Sequence, residues 1–128
     1  MTNFGIQAAR TGHVVDTRWR TQSHGENVAV PGQVAVADFT DVIGLVNPGY
    51  IPSGTALAKE GDKIVLFDGD NDLYGFVNDN DGADASAGDY TTVAVLLHGV
   101  INPNYLPVVA QRAAVKAVTG SNFIITEV

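Results

Sequence analysis

The chain has 128 residues, 45% of them hydrophobic and only 16% charged, and its 14 acidic against 7 basic side chains give a formal net charge of −7. One hydrophobic core fits that length, and so apolar a composition does not belong to a disordered chain. The charge disfavours nucleic-acid phosphates and anionic membranes, no apolar run approaches the roughly 20 residues of a membrane-spanning helix, and the absence of cysteine excludes disulfides, thiolate catalysis and cysteine-ligated zinc.

In chain order, residues 1–27 read as a flexible N-terminal arm in which Phe4, Ile6, Val14, Val15 and Trp19 are scattered among Thr, Gly, Asn, Gln, Arg and His. So few apolar groups do not offset roughly 1–2 kcal/mol of backbone entropy per ordered residue, so the arm is expected either to gain order by pairing with a partner's exposed strand or to be a frayed tail with no role. The segment Met1 to Arg20 lacks the basic-then-apolar pattern of a signal peptide, and ordinary secretion is not indicated. Trp19 lies between Arg18 and Arg20. This trio is either an interfacial anchor, broad and apolar with guanidiniums for a partner's carboxylates, or a packing contact on the chain's own body.

A β-rich body is predicted over 28–128. Val28 and Val30 alternate, Pro31-Gly32 marks a turn, and Val34 and Val36 continue a period of two toward Phe39. Val42, Ile43, Leu45 and Val46 read as a short strand ended by Asn47-Pro48-Gly49. Pro52-Ser53-Gly54 makes a sharp connection to a strand at Thr55–Ala58, and Gly61-Asp62 separates that from Ile64–Phe67. The segments Asp68–Asp72 and Asn78–Asp84 read as loops around a brief strand at Tyr74–Val77. Tyr90–Val100 is the strongest strand candidate, with a bulge or bend at Gly99. Val108–Val118 is the one persuasive helix, with Pro107 near its start, a small-residue face of Ala110, Ala114, Ala117 and Val118 turned to a sheet, and Gly120 as its cap. Phe123–Thr126 returns to strand and ties the C-terminus into the sheet. The expected fold is therefore mainly β with one short C-terminal helix, a small barrel-like domain.

Chemistry is sparse. Asp68, Asp70 and Asp72 alternate as in a calcium loop, but Leu73 stands where the tight turn wants glycine and Asp79 where a bidentate glutamate is usual. They are weak calcium candidates beside the simpler reading of a solvated acidic turn. His13, His24 and His98 have no metal-ligand spacing, and His98 is expected to play a hydrogen-bonded structural role beside a core strand. Ser53, Ser86 and Asp89 join a histidine only in an arbitrary fold, and no glycine pattern cradles phosphate. No enzyme activity and no cofactor are expected.

The order of Ile51-Pro52-Ser53-Gly54-Thr55-Ala56-Leu57-Ala58-Lys59, Tyr74-Gly75-Phe76-Val77 and Val93-Ala94-Val95-Leu96-Leu97-His98-Gly99-Val100-Ile101-Asn102, followed by a proline-led helix and a terminal apolar strand, resembles the head decoration, or capsid-stabilising, proteins of tailed bacteriophages. The similarity covers about residues 28–128. It implies a β-tulip body, a homotrimer over local three-fold positions of the expanded capsid, the major capsid protein as partner, and a place on the outer surface of the virion after assembly in the host cytoplasm. It also implies an arm that orders on the shell, making Phe4, Ile6, Arg18, Trp19 and Arg20 the capsid-binding candidates. This sequence departs in its long arm and in the Asp-rich region at 68–84. The rival readings are a virion or cell-surface adhesion module and a calcium- or small-ligand-binding β domain.

Overall fold

The computed structural model describes residues 14–20, 29–86 and 88–127. Among the described residues nine strands and one α-helix run in the order β1 (Ala29–Ala35), β2 (Tyr50–Ile51), β3 (Ala56–Glu60), β4 (Lys63–Leu66), β5 (Leu73–Val77), β6 (Ala83–Asp84), β7 (Tyr90–Leu96), β8 (Gly99–Ile101), α1 (Val109–Lys116) and β9 (Phe123–Ile125). Single 3-10 turns occupy Val36–Phe39 and Pro103–Tyr105.

Five strands close into a barrel in the order β1-β4-β3-β5-β7, with β7 returning to β1 along seven residue pairs from Ala29↔Leu96 to Ala35↔Tyr90. The β3–β4 hairpin turns at Gly61-Asp62, as its sequence predicts. Weakest is the parallel β1–β4 seam, which holds the single pair Val34↔Ile64. Here Gly32 lets β1 approach closely, since a Cβ would stand 2.7 Å from Ile64 Cδ1 and 3.0 Å from Val95 Cγ2 and those side chains would have to shift.

Side chains alternate across the barrel wall. Each barrel strand sends residues inward, Val34, Leu57, Ile64, Val77, Val93 and Val95, and Phe39, Val42, Ile51, Ala83 and Ala85 join the same cluster from the 3-10 turn, its following loop and the small β2–β6 pair. The neighbouring residues Ala56, Ala58, Phe76 and Leu96 face outward and are also buried. A second core covers them with Trp19, Phe67, Ile101, Leu106, Val115 and Phe123. Strands β3, β5 and β7 are thus apolar on both faces, which blurs the alternation expected of a half-exposed strand.

Several local expectations change. Pro31-Gly32 is not a turn but the middle of β1, where the β4 side of the strand carries no ladder for a proline to interrupt. Val42–Val46 is a run of turns rather than a strand; Val42 plugs the barrel while Leu45 is exposed. The predicted strand Tyr90–Val100 bends at Leu97-His98 into β7 and β8, and His98 is exposed. Helix α1 buries Gln111 and Val115, flanked by partly buried Ala114 and Val118, while Ala110 and Ala117 face solvent. Its C-cap is Ala117, so Gly120 belongs to the loop beyond. Strand β9 joins β8 in a parallel pair outside the barrel, the intervening helix supplying the crossover such a pair needs.

Candidate functional site

The residues singled out around Trp19 form a strap, 14–20, laid across the second core. Its two ends and its middle are held by different chemistry.

At the start, the buried amide of Asn47 grips the Val14 backbone from both sides: its Oδ1 accepts the Val14 N–H at 2.6 Å, and its Nδ2 donates to the Val14 carbonyl at 2.9 Å and the Asp81 carbonyl at 3.0 Å. Asn47 thus supplies the donor and acceptor that a neighbouring strand would otherwise give. In the middle, Thr17–Arg20 makes a turn closed by the Arg20 N–H on the Thr17 carbonyl, at 3.0 Å. That turn drives Trp19 inward to 0% exposure. Its indole stacks on Phe76 at 5.5 Å between centroids, and Phe76 meets Phe123 edge-on at 4.9 Å. The indole N–H donates to Ser53 Oγ at 3.1 Å, and the Trp19 carbonyl accepts the Asn102 N–H at 2.8 Å.

Gly54 makes this burial possible. Its φ is +91°, and a Cβ there would lie 2.7–2.9 Å from Cδ1, Cγ and Nε1 of the indole, so both the backbone and the ring require glycine. Trp19 is accordingly a core residue of its own chain and not an exposed anchor.

Neither flanking arginine is bare. Arg18 is exposed and forks onto Asp16, Nε to Oδ1 at 2.9 Å and Nη2 to Oδ2 at 2.8 Å, while its guanidinium lies 4.7 Å from the Tyr105 ring centroid. The hydrogen bond from Arg18 holds the Asp16 carboxyl below its ordinary value, against a smaller upward push from burial. Arg20 bridges to Ile101 through the backbone, covers the Trp19 ring at 5.1 Å and donates to the side-chain carbonyls of Asn78 and of Asn80, the latter at 3.0 Å. Phe4 and Ile6 lie outside the described residues.

A cleft of about 280 Å³ opens beside the start of the strap, walled by Val14, Leu45, Tyr105 and Pro107. Three of these are large apolar residues left open to solvent: Val14 is 53% exposed, Leu45 54% and Tyr105 42%. Arg112 reaches the same cleft, its Nε fixed on the Leu106 carbonyl at 2.9 Å. A larger groove of about 490 Å³ lies between the Asp-rich loop and the C-terminal end of α1, lined by Phe67, Leu73 and Val118 among small and polar residues.

Strands and loops separate the other candidates. Asp68, Asp70 and Asp72 are exposed, and Asp68 Oδ1 accepts the Asp70 N–H at 2.9 Å, a loop-forming Asx turn. Among the described residues no three His, Asp or Glu side chains cluster as a metal site would require. Ser53 is engaged by Trp19, and Ser86 donates to Asp84 at 2.6 Å.

Two amides escaped sequence reasoning. Asn47 sits in an Asn-Pro-Gly turn motif, and Gln111 resembles any solvent-facing helical glutamine. Yet Gln111 is buried, its Oε1 accepting the Ala56 N–H at 2.8 Å and its Nε2 donating to the carbonyls of Ala56 at 3.0 Å and Phe67 at 2.8 Å. Among described residues these are the same device used twice, a buried amide gripping one residue's backbone at both polar groups.

No protein-family model matches the chain, and no curated protein matches it.

Proposed function

We propose that this chain is a structural virion protein that binds the outside of an expanded bacteriophage capsid as a homotrimer and stabilises the shell, its body a β-tulip-type elaboration of the barrel. The observation that supports this reading is the anchored strap. A cement must carry load from the contact it makes into its own core. Residues 1–13 join the body at Val14, and any pull on them is met by the Asn47 amide and then by Trp19, whose removal from the core would cost about 3–5 kcal/mol.

Trp19 therefore serves this function from within. On this reading Phe4 and Ile6 make the apolar contact with the major capsid protein, and Arg18 gives directional bonds beside them. Three such arms on one trimer act at high effective concentration, so contacts that are weak singly resist shell opening together. The exposed Val14, Leu45 and Tyr105 add apolar area where the arm departs.

Light scattering on the purified chain tests the trimer. Co-sedimentation with empty cognate shells, before and after expansion, tests the function: binding to expanded shells with a raised temperature of shell disruption is expected. Shells equally resistant to heat and osmotic shock with and without bound protein would overturn it.

A further inference from the structure

Strand β9 closes the outer core but leaves one of its own edges open. Its one strand neighbour among the described residues is β8, which it pairs through Gly99↔Phe123, Val100↔Ile124 and Ile101↔Ile125. The Thr126 N–H donates to the Ile101 carbonyl at 2.9 Å, so Thr126 turns its backbone groups toward β8. Backbone groups of successive strand residues point to opposite sides, so those of Ile124 also face β8 while those of Phe123 and Ile125 face away. The Ile125 N–H and carbonyl accordingly have no backbone partner among the described residues. On the same edge the Phe123 N–H is taken by Ser121 Oγ at 3.2 Å, whereas the Phe123 carbonyl meets that hydroxyl only at 3.4 Å and keeps a lone pair to offer. Between them the Ile124 side chain is 65% exposed.

We infer that this edge pairs with the same edge of a second copy of the chain, the two β9 strands running antiparallel about a two-fold axis at Ile124. In that register Ile124 stands opposite Ile124 as a non-hydrogen-bonded pair, and the Ile125 N–H of each copy donates to the Phe123 carbonyl of the other. These are a donor and an acceptor that the fold leaves available, and the occupied Phe123 N–H is not called on. A foreign strand lying along the whole edge would call on it. The two isoleucines cover one another, an apolar β-branched pair of the kind that stabilises antiparallel strands.

Charge also favours a second copy. Exposed edge strands are commonly kept apart by charged side chains, yet residues 117–126 carry none. Lys116 and Glu127, which flank them, neutralise each other at 3.2 Å within the chain. Here two copies of a chain of net charge −7 can approach without like charges meeting at the contact. The contact is small, so its population is expected to rise with concentration. A two-fold contact cannot by itself close a trimer, so this surface is additional to the one that the proposed trimer would use.

The absence of cysteine makes the test clean. Ile124→Cys places two thiols at a pair whose Cα atoms stand about 4.5 Å apart, within the range a disulfide spans. Val109→Cys is the control, since Val109 on α1 is comparably open, 68% exposed against 65%. Under the same mild oxidation and at the same protein concentration, Ile124→Cys is expected to form linked dimers roughly tenfold or more faster than Val109→Cys and to run to completion. Equal rates would overturn the inference. Linking that halts at about two-thirds of the thiols would also overturn it, because three thiols around a three-fold axis leave one unpaired. A second readout needs no cysteine. The Ile125 amide is expected to exchange with deuterium more slowly as the concentration of the unmodified chain rises, and Ile124→Lys, a change at an exposed side chain, is expected to abolish that dependence. Exchange independent of concentration in the unmodified chain would overturn the inference even if the chemistry of the thiols were disputed. Neither readout involves a capsid, so failure here leaves the decoration proposal standing and failure of shell binding leaves this contact standing.

Discussion

The barrel interior and the second core outside it are both apolar, yet they are closed by different means. Inside, ladder hydrogen bonds satisfy the backbone and the side chains of five strands have only to be apolar and of the right size. Outside, pieces far apart in the chain meet: the strap, the Pro52–Gly54 turn, β8, α1 and β9. No ladder serves all of them. Short backbone contacts, such as the β8–β9 pair and the Asn102 N–H on the Trp19 carbonyl, are joined by single side chains that tie one piece to another: Gln111 of α1 on Ala56 and Phe67, and Asn47 on Val14 and Asp81. Patterned apolar sequence suffices for a barrel, whereas docking an irregular segment on it needs particular polar residues at particular places.

The largest break in this comparison is expected at Trp19. Trp19→Ala removes the widest side chain of the outer core and the partner of Ser53, at a cost of about 3–5 kcal/mol by the range for large-to-small changes. Chemical denaturation followed by circular dichroism measures it. A loss below about 1 kcal/mol would mean that the strap is not coupled to the body, and the load-bearing argument would go with it.

Leu57→Ala probes the interior from the same strand whose other face serves the outer core, and is expected to cost about 2–4 kcal/mol. Because β3, β5 and β7 belong to both cores, the unfolding curve from Trp19 fluorescence and that from backbone circular dichroism should coincide in the unmodified protein. An earlier fluorescence transition would show the outer core detaching first and divide the molecule into two cooperative units.

Gln111→Leu sharpens the contrast. It keeps bulk and apolar contact but leaves the Ala56 N–H without its acceptor, so a loss of about 1–3 kcal/mol is expected. A neutral result would mean that water replaces the amide.

These residues also mark what was legible in the sequence. The hairpin at Gly61-Asp62, the Asp-rich connection, the short helix and the terminal strand followed from turn chemistry and periodicity, which act within a few residues. Val42–Val46 misled because apolar composition states that a residue is buried without stating in which conformation: Val42 stops the barrel's end from within a turn. The direction of Trp19 and the burial of Gln111 and Asn47 depend on partners 34, 55 and 33 residues away, beyond any local pattern. The cleft was equally hidden, since Val14, Leu45 and Tyr105 converge only once the strap is in place. Of the residues tied to a partner by resemblance, Arg18 remains at the surface beside that cleft and Trp19 does not.

The smallest expected effect concerns pH. Asp79 is half-buried, and burial pushes its carboxyl above the ordinary 3.8, opposed by the hydrogen bond its Oδ2 accepts from the Ala94 N–H at 3.0 Å. The folded chain therefore holds this proton more tightly than the unfolded chain. Its contribution to stability is full below 3.8, declines as pH rises from there through the higher folded value, and is level above both. Asp16, held low by Arg18, acts in the opposite sense, so the net profile of the protein does not isolate either group. Asp79→Asn does: the amide carbonyl can still accept from Ala94 but has no proton to lose. Relative to the unmodified chain the variant should gain stability as pH rises through that window and keep a constant advantage above it. A difference independent of pH would show that Asp79 is as well solvated in the folded protein as in the unfolded chain, and that the junction where the second hydrogen-bonded edge of β7 passes from β5 to this loop is open to water.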